Sequence, residues 1–138
     1  MANPAKKRDT GCPFAFGLDT FGDRWTLLVI RDLMFRSSKT YGEFLATDEK
    51  IATNVLADRL KSLEAEGIIR KARDPENQRS YIYSLTEKGC DLAPLMLEMV
   101  RWSAKYDPRT KARKNILEKI ETDREGFVAE ICERLLKD

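Results

Sequence analysis

The sequence predicts a mostly helical α+β fold, and three observations predict it. The stretch Ile51 to Glu66 repeats Ala52, Leu56, Leu60 and Leu63 at i, i+4, i+8 and i+11, one face of a helix. Two short strand signals follow, one opening at Ile68 and Ile69 and one alternating from Tyr81 to Leu85, with Asp74-Pro75-Glu76-Asn77 as the turn between them. The hairpin carries Arg70, Lys71, Arg73 and Arg79, while the outer helix face presents Asn54, Ala57, Asp58 and Lys61. A helix with short polar side chains feeding a basic two-stranded hairpin is the layout of a winged helix-turn-helix. Its reading helix enters the major groove and its wing lies on the flanking backbone.

The elements follow in order. Residues 1–11 are polar, and Lys6-Lys7-Arg8 are either phosphate contacts or part of a frayed terminus, the latter being the expectation. Pro13 suits the first turn of a helix that begins after Cys12. Gly22 interrupts it, and Asp23 caps a second helix with Trp25, Leu28, Val29 and Leu33 on one face and Asp32 at its edge. Phe14, Phe16, Phe21, Trp25 and Trp102 either join the core, which is the expectation, or line a ligand pocket. Arg36 to Lys39 form a loop. Thr40-Tyr41-Gly42-Glu43 is a capping box that opens the first helix of the helix-turn-helix. With Lys39 and Thr40 that N-terminus is either a phosphate site or simply a capped helix. Thr47 to Lys50 turn the chain into the reading helix, and Gly67 ends that helix in a left-handed cap.

Beyond the wing, Thr86 caps another helix, and Leu92, Leu95, Met99, Trp102 and Tyr106 form a heptad seam. Pro94 means that this helix either kinks or begins later than Thr86. The seam is too apolar to face water, so a partner helix is expected on it. Asp107-Pro108 ends the element, and residues 109–137 read as helix with Ile116, Ile120, Phe127, Ile131 and Leu135 on one stripe. A second capping box at Thr122-Asp123-Arg124-Glu125 is placed to split it. That stripe either clasps a dimer, the expectation, or covers its own domain. Residues 1–106 are thus read as a winged helix-turn-helix domain with additional N- and C-terminal helices, to which the family resemblance given below assigns dimerisation, and 107–138 as a C-terminal helical extension.

Bulk properties restrict the function classes. The chain has 138 residues and a formal net charge of +2, which suits one globular domain. Residues 1–114 carry 21 Lys and Arg against 16 Asp and Glu, and residues 115–138 carry 4 against 7. A basic body with an acidic end is compatible with DNA binding. No histidine and no Cys-x-x-Cys pair is present, which argues against zinc and a His-dependent triad. Neither a paired nucleophile and base nor a Gly-rich phosphate loop occurs, so no enzyme, metal or cofactor is expected. Three spaced cysteines do not make a disulfide framework, and Cys90 and Cys132 are expected to be packing residues. No apolar run reaches membrane-spanning length, and a cytoplasmic protein is expected.

The DNA-binding candidates are Lys39 and Thr40, the reading-helix residues Thr53, Asn54, Ala57, Asp58, Arg59 and Lys61, and the wing residues Arg73, Asn77, Gln78, Arg79 and Ser80. Asp58 either accepts from a cytosine or pairs with Arg59, and Arg59, nearer the buried side, is placed to reach a phosphate.

The blocks Cys12-Pro13, Gly22-Asp23-Arg24-Trp25-Thr26, Thr40-Tyr41-Gly42-Glu43-Phe44, Ile51 to Leu60, Leu63-Glu64-Ala65-Glu66-Gly67-Ile68, Tyr83 to Gly89 and Trp102 resemble, in order, the HxlR-type family of winged helix-turn-helix regulators. The resemblance runs from Cys12 to about Tyr106. It implies a homodimeric transcriptional regulator, expected to be a repressor, on a pseudo-palindromic operator. The dimer would be built from the N-terminal helices and the post-wing helix carrying Leu92, Leu95, Met99, Trp102 and Tyr106. Some relatives use a cysteine where Cys12 stands as a thiol sensor, and others answer to small-molecule effectors. Cys12 is thus either a redox sensor at a helix start or a small apolar residue there. Many members have Ser where Ala52 stands, and Thr53 is the substitute cap. The alternative function is a winged helix used only for protein contacts; Arg73 and Arg79 beside the wing tip favour DNA.

Overall fold

A computed structural model of the chain describes residues 10–36 and 39–137. Lys6-Lys7-Arg8 and the middle of the Arg36–Lys39 loop lie outside the described residues. The order is α1 (Pro13–Phe21), α2 (Arg24–Phe35), α3 (Tyr41–Leu45), α4 (Thr53–Ala65), β1 (Ile69–Asp74), β2 (Asn77–Leu85), α5 (Glu87–Cys90), α6 (Ala93–Tyr106), α7 (Lys114–Thr122) and α8 (Arg124–Leu136). This is the mostly helical winged helix-turn-helix that the patterning predicts: α3 and α4 form the helix-turn-helix and the antiparallel pair β1–β2 forms the wing.

Local chemistry explains the boundaries. Pro13 stands at the start of α1. The Asp23 carboxylate accepts from the Trp25 and Thr26 amides and caps α2. Thr40 and Glu43 form a complete capping box on α3. Gly67 adopts φ +75; its amide donates to the Glu64 carbonyl and the Ile68 amide to the Leu63 carbonyl, the two bonds of a Schellman cap. Thr86 accepts from the Gly89 amide and donates to the Gly67 carbonyl, and the Lys88 ammonium donates to the Glu66 carbonyl. The Thr86-Glu87-Lys88-Gly89 turn thereby binds the Glu66 and Gly67 carbonyls just beyond α4. Pro94 lies in the first turn of α6, so that helix starts late and does not kink.

One face position and three boundaries differ from the sequence reading. Ala52, expected on the buried face of α4, is exposed; Ile51 is buried in its place. Thr53 is the first residue of α4 rather than its cap, and Ala52 at the cap position supplies no side-chain bond. Residues 109–113 are not helical. There Asp107 accepts from the Arg109 amide and Thr110 from the Ala112 amide, local bonds that compete with a helix. The α7/α8 break is capped by Asp123, which accepts from the Gly126 amide, while Thr122 bonds back to the Glu118 carbonyl.

One core joins α2 to α8. It contains Val29, Ile30, Leu33 and Met34 of α2, Phe44 of α3, and Leu56, Leu60 and Leu63 of α4. Ile69 and Leu85 of the wing base, Met96 and Leu97 of α6, Ile120 of α7, and Phe127 and Ile131 of α8 also belong to it. Each such side chain contributes about 1.5–3 kcal/mol on burial. Leu28, expected on the core face of α2, is only half-buried, and Ile30 and Met34 fill that role; Trp25 packs against the core from its rim. The clasp expectation is corrected here: Ile120, Phe127 and Ile131 are buried within their own chain. Arg124 of α8 pairs with Glu98 of α6, and the Arg134 guanidinium donates to the Met34 carbonyl at 2.9 Å.

A second correction concerns the cysteines. Cys90, at the end of α5, and Cys132, in α8, are joined by a disulfide across 42 residues, with Cα atoms 5.7 Å apart. Spacing in the sequence could not reveal this pair, because the proximity arises from α8 folding back on α5.

Candidate nucleic-acid interface

Leu56, Leu60 and Leu63 anchor α4, and this turns Thr53, Asn54, Ala57 and Lys61 outward, all four exposed. The Tyr41 hydroxyl donates to the Thr53 carbonyl at 2.7 Å and sets α3 against the start of α4. Lys50, in the turn between them, holds φ +55, the left-handed region that an L side chain rarely adopts. The turn is braced from α2. The Arg31 guanidinium contacts Asp32 at 2.7 Å and Glu49 at 2.9 Å. Burial pushes the Asp32 carboxyl above the usual carboxylate value, against the pull of Arg31 and Arg36. The hydrogen bond from Arg31 holds Glu49 below its usual value.

Asp58 and Arg59 sit at the margin of the reading face. Arg59 bonds to Asp58, as one sequence alternative has it, and its Nε lies 2.6 Å from Asp23. Its guanidinium is therefore engaged within the chain at the position from which a phosphate contact was expected. Burial pushes Asp23 up, but hydrogen bonds from Thr26 and Arg59, the Arg59 charge and the Trp25 amide outweigh it and hold the carboxyl below its ordinary value.

At α3 the capping box is complete, and the Lys39 and Thr40 amides both donate to Glu43 at 2.9 Å. Those amides hold Glu43 below the usual value. The Lys39 carbonyl accepts from the Tyr83 amide at 2.8 Å and ties the wing root to the start of α3.

The wing pairs Ile69 with Leu85 through Arg73 with Tyr81 and then shifts register, so that Asp74 meets Asn77. Gln78, Arg79 and Ser80 are looped out beyond the regular ladder. The tip is internally bonded: Arg73 donates to the Gln78 carbonyl, the Arg79 amide donates to the Asn77 side chain, and the Asn77 amide group donates to Ser80. Arg73 and Lys71 lie over the Tyr81 ring. Asn77, Gln78 and Arg79 remain exposed.

The predicted seam divides. Leu92 packs against the core. Leu95, Met99, Trp102 and Tyr106 stay exposed, Trp102 at 61%. Phe14 is 80% exposed, and Phe16 and Leu18 are also open, so Phe14, Phe16 and Trp102 do not join the core as expected. Cys12 is an exposed free thiol at the cap of α1. Sequence reasoning missed the Asp23–Arg59 and Arg31–Glu49 pairs; nothing in local spacing signals contacts between distant elements.

No helix among the described residues is long and apolar enough to cross a membrane. The family model described as HxlR-like helix-turn-helix matches residues 20–111. Cys12 and the α7–α8 pair lie outside that match. The HTH-type transcriptional regulator YvaP of Bacillus subtilis (strain 168) is 35% identical over 99 residues, 70% of this chain and 91% of YvaP. YodB, an HTH-type transcriptional regulator of the same organism, is 38% identical over 101 residues, 71% of this chain and 88% of YodB. The reduced form of YodB superposes with a TM-score of 0.57 at 31% identity over 72% of this chain and 98% of that one. The redox regulator HypR in its oxidized form gives 0.60 at 30% identity over 68% and 96%. Structures of diamide-treated and quinone-bound YodB are similar too. With its helix-turn-helix, its wing and most of its length matched in this way, the protein belongs to the HxlR-like helix-turn-helix family.

Proposed function

We propose that the protein is a homodimeric, sequence-specific DNA-binding transcriptional regulator, acting in the cytoplasm as a repressor on a pseudo-palindromic operator. The observation that carries this reading is the exposed, uncharged-to-basic face of α4, Thr53, Asn54, Ala57 and Lys61, presented beside a wing tip bearing Arg73 and Arg79. Asn and Thr reach base edges, and the basic groups reach phosphates. Family membership supports the same reading. Residues 1–106 would be the DNA-binding and dimerising unit, with 107–138 as an extension packed on it.

The exposed Phe14, Phe16 and Leu18 of α1 and Leu95, Met99, Trp102 and Tyr106 of α6 support dimerisation, since apolar surface of this extent seeks cover. A two-fold pair would set two α4 helices about 34 Å apart, one turn of DNA. The exposed Cys12 thiol is the candidate for a signal from a thiol-reactive small molecule, a reading supported by the redox forms of YodB and HypR.

Titration of a labelled duplex with the full chain at a series of salt concentrations tests the reading. Expected is binding that weakens linearly in log salt, and selection from random duplexes of an inverted repeat with half-sites about one turn apart. Absence of binding at low salt would refute it and leave the winged helix as a protein-contact module.

A further inference from the structure

Cys90 and Cys132 stand apart from Cys12 in place and in setting. Cys90 is 1% exposed and ends α5; Cys132 is half-buried on α8, where its sulfur also lies 3.4 Å from the Cys90 carbonyl. Cys132 lies beyond the family match, and so does the whole of α8. The bond therefore ties the tail, through Cys132, to Cys90 inside the matched region. That tail covers ground the interface depends on: Arg134 holds the Met34 carbonyl near the end of α2, Arg124 holds Glu98 on α6, and α8 packs against β2 of the wing.

We propose that the Cys90–Cys132 pair is a reversible thiol–disulfide site, distinct from Cys12, that takes low-molecular-weight disulfides as its oxidant and sets how firmly α8 is held on the domain. The step that makes it reversible rests on the DNA-binding reading, which places the chain where thiols are kept reduced and where a protein disulfide is usually a transient one. Oxidation runs by exchange. The Cys132 thiolate attacks one sulfur of the small disulfide, expels one thiolate and forms a mixed disulfide. Cys90, having lost its proton, then attacks the Cys132 sulfur and expels the second thiolate. Two protein thiols and one small disulfide become one protein disulfide and two small thiols, with both protons passing to the leaving thiolates. Cys132 is the entry point because it is the more accessible of the two. In the reduced state α8 keeps its packing and its Arg124 and Arg134 contacts but loses its covalent tie, so its local opening becomes easier while α2–α4 stay as they are.

The test uses the full chain with Cys12→Ser, so that only this pair reports. The protein is equilibrated in mixtures of reduced and oxidised glutathione, quenched by alkylation and read by mass, and backbone hydrogen exchange is followed in both end states. Expected is passage between dithiol and disulfide within those mixtures, with exchange across Arg124–Leu136 faster by roughly tenfold or more on reduction and unchanged in α4. Thermal melting should fall by roughly 10 °C on reduction, from the release of a long closed loop. A disulfide that opens only in denaturant is a static cross-link and overturns the proposal. A pair that never closes overturns it too, and so does an unchanged α8 exchange rate. Cys132→Ser should show the loosened α8 in both buffers; if that variant does not fold, the reduced protein still decides. None of these readings uses DNA, so failure to bind a duplex and failure of this site are separately visible.

Discussion

Arg59, in the reading helix, donates its Nε to the Asp23 carboxylate at 2.6 Å, and Asp23 is at the same time the N-cap of α2. One carboxylate thus closes the first turn of a core helix and fixes the rim of the reading helix. Replacing it with Ala removes both roles. Asp23→Ala is expected to cost about 1–2 kcal/mol in urea unfolding. Asp23→Asn keeps a capping oxygen and should cost less.

The same pair sets a pH dependence. Asp23 titrates below its ordinary value of 3.8 in the folded chain, so its contribution is complete above that value and is lost as pH falls through the lower, folded one. The melting-temperature gap between wild type and Asp23→Asn should be constant near neutrality and close below about pH 4. Asp32 acts in the opposite sense: burial raises it, so its cost is present at neutral pH and is relieved on acidification. A gap that widens in acid would contradict the Asp23 assignment.

Reading and wing residues should fail differently on DNA. Asn54 is exposed in the first turn of α4, and Asn54→Ala is expected to relax preference at one base position by about 1–3 kcal/mol. Arg79, looped out at the wing, should hold backbone. Arg79→Ala should weaken all sequences alike and flatten the salt slope by about one unit. Equal losses of specificity in the two variants, read by anisotropy against operator and scrambled duplexes, would contradict this division.

Trp102 packs on Tyr106 with the rings tilted at 48° and their centroids 5.2 Å apart, on a face open to solvent. Met99→Glu on that face places a charge where a two-fold partner is proposed. Sedimentation should show the dimer dissociating at a concentration at least tenfold higher, since an unpaired charge in an apolar interface costs well over ~1.4 kcal/mol, while the melting temperature of the monomer is unchanged. Removal of residues after Tyr106 should act otherwise: it strips Ile120, Phe127 and Ile131 from the core and should destabilise each chain directly.

Gly89 faces the Ile68 carbonyl so closely that a Cβ would overlap it and the Leu85 side chain. Gly89→Ala should cost about 1–3 kcal/mol and loosen the wing root, seen as faster hydrogen exchange at Ile69 and Leu85.

What the chain order alone determined is what neighbouring residues decide between themselves. Asp23, the Thr40–Glu43 box, Gly67 and Thr86 were legible because a cap bonds amides two to three residues away and a Schellman turn spans one helix end. The α4 stripe was legible because Leu56, Leu60 and Leu63 must share a face at helical spacing, and its opposite face follows. Where two local rules competed, as at Ala52 and Thr53 or over 109–113, the boundary moved by a few residues. Tertiary structure alone decided which distant groups meet: Arg59 with Asp23 across 36 residues, Arg31 with Glu49 across 18, Cys90 with Cys132 across 42. It also decided which apolar faces remain open. Periodicity marks a face as apolar, but whether it is covered depends on the element that packs there. That is why the stripe of α7 and α8 closes on its own domain, while Phe14 and Trp102 stand uncovered.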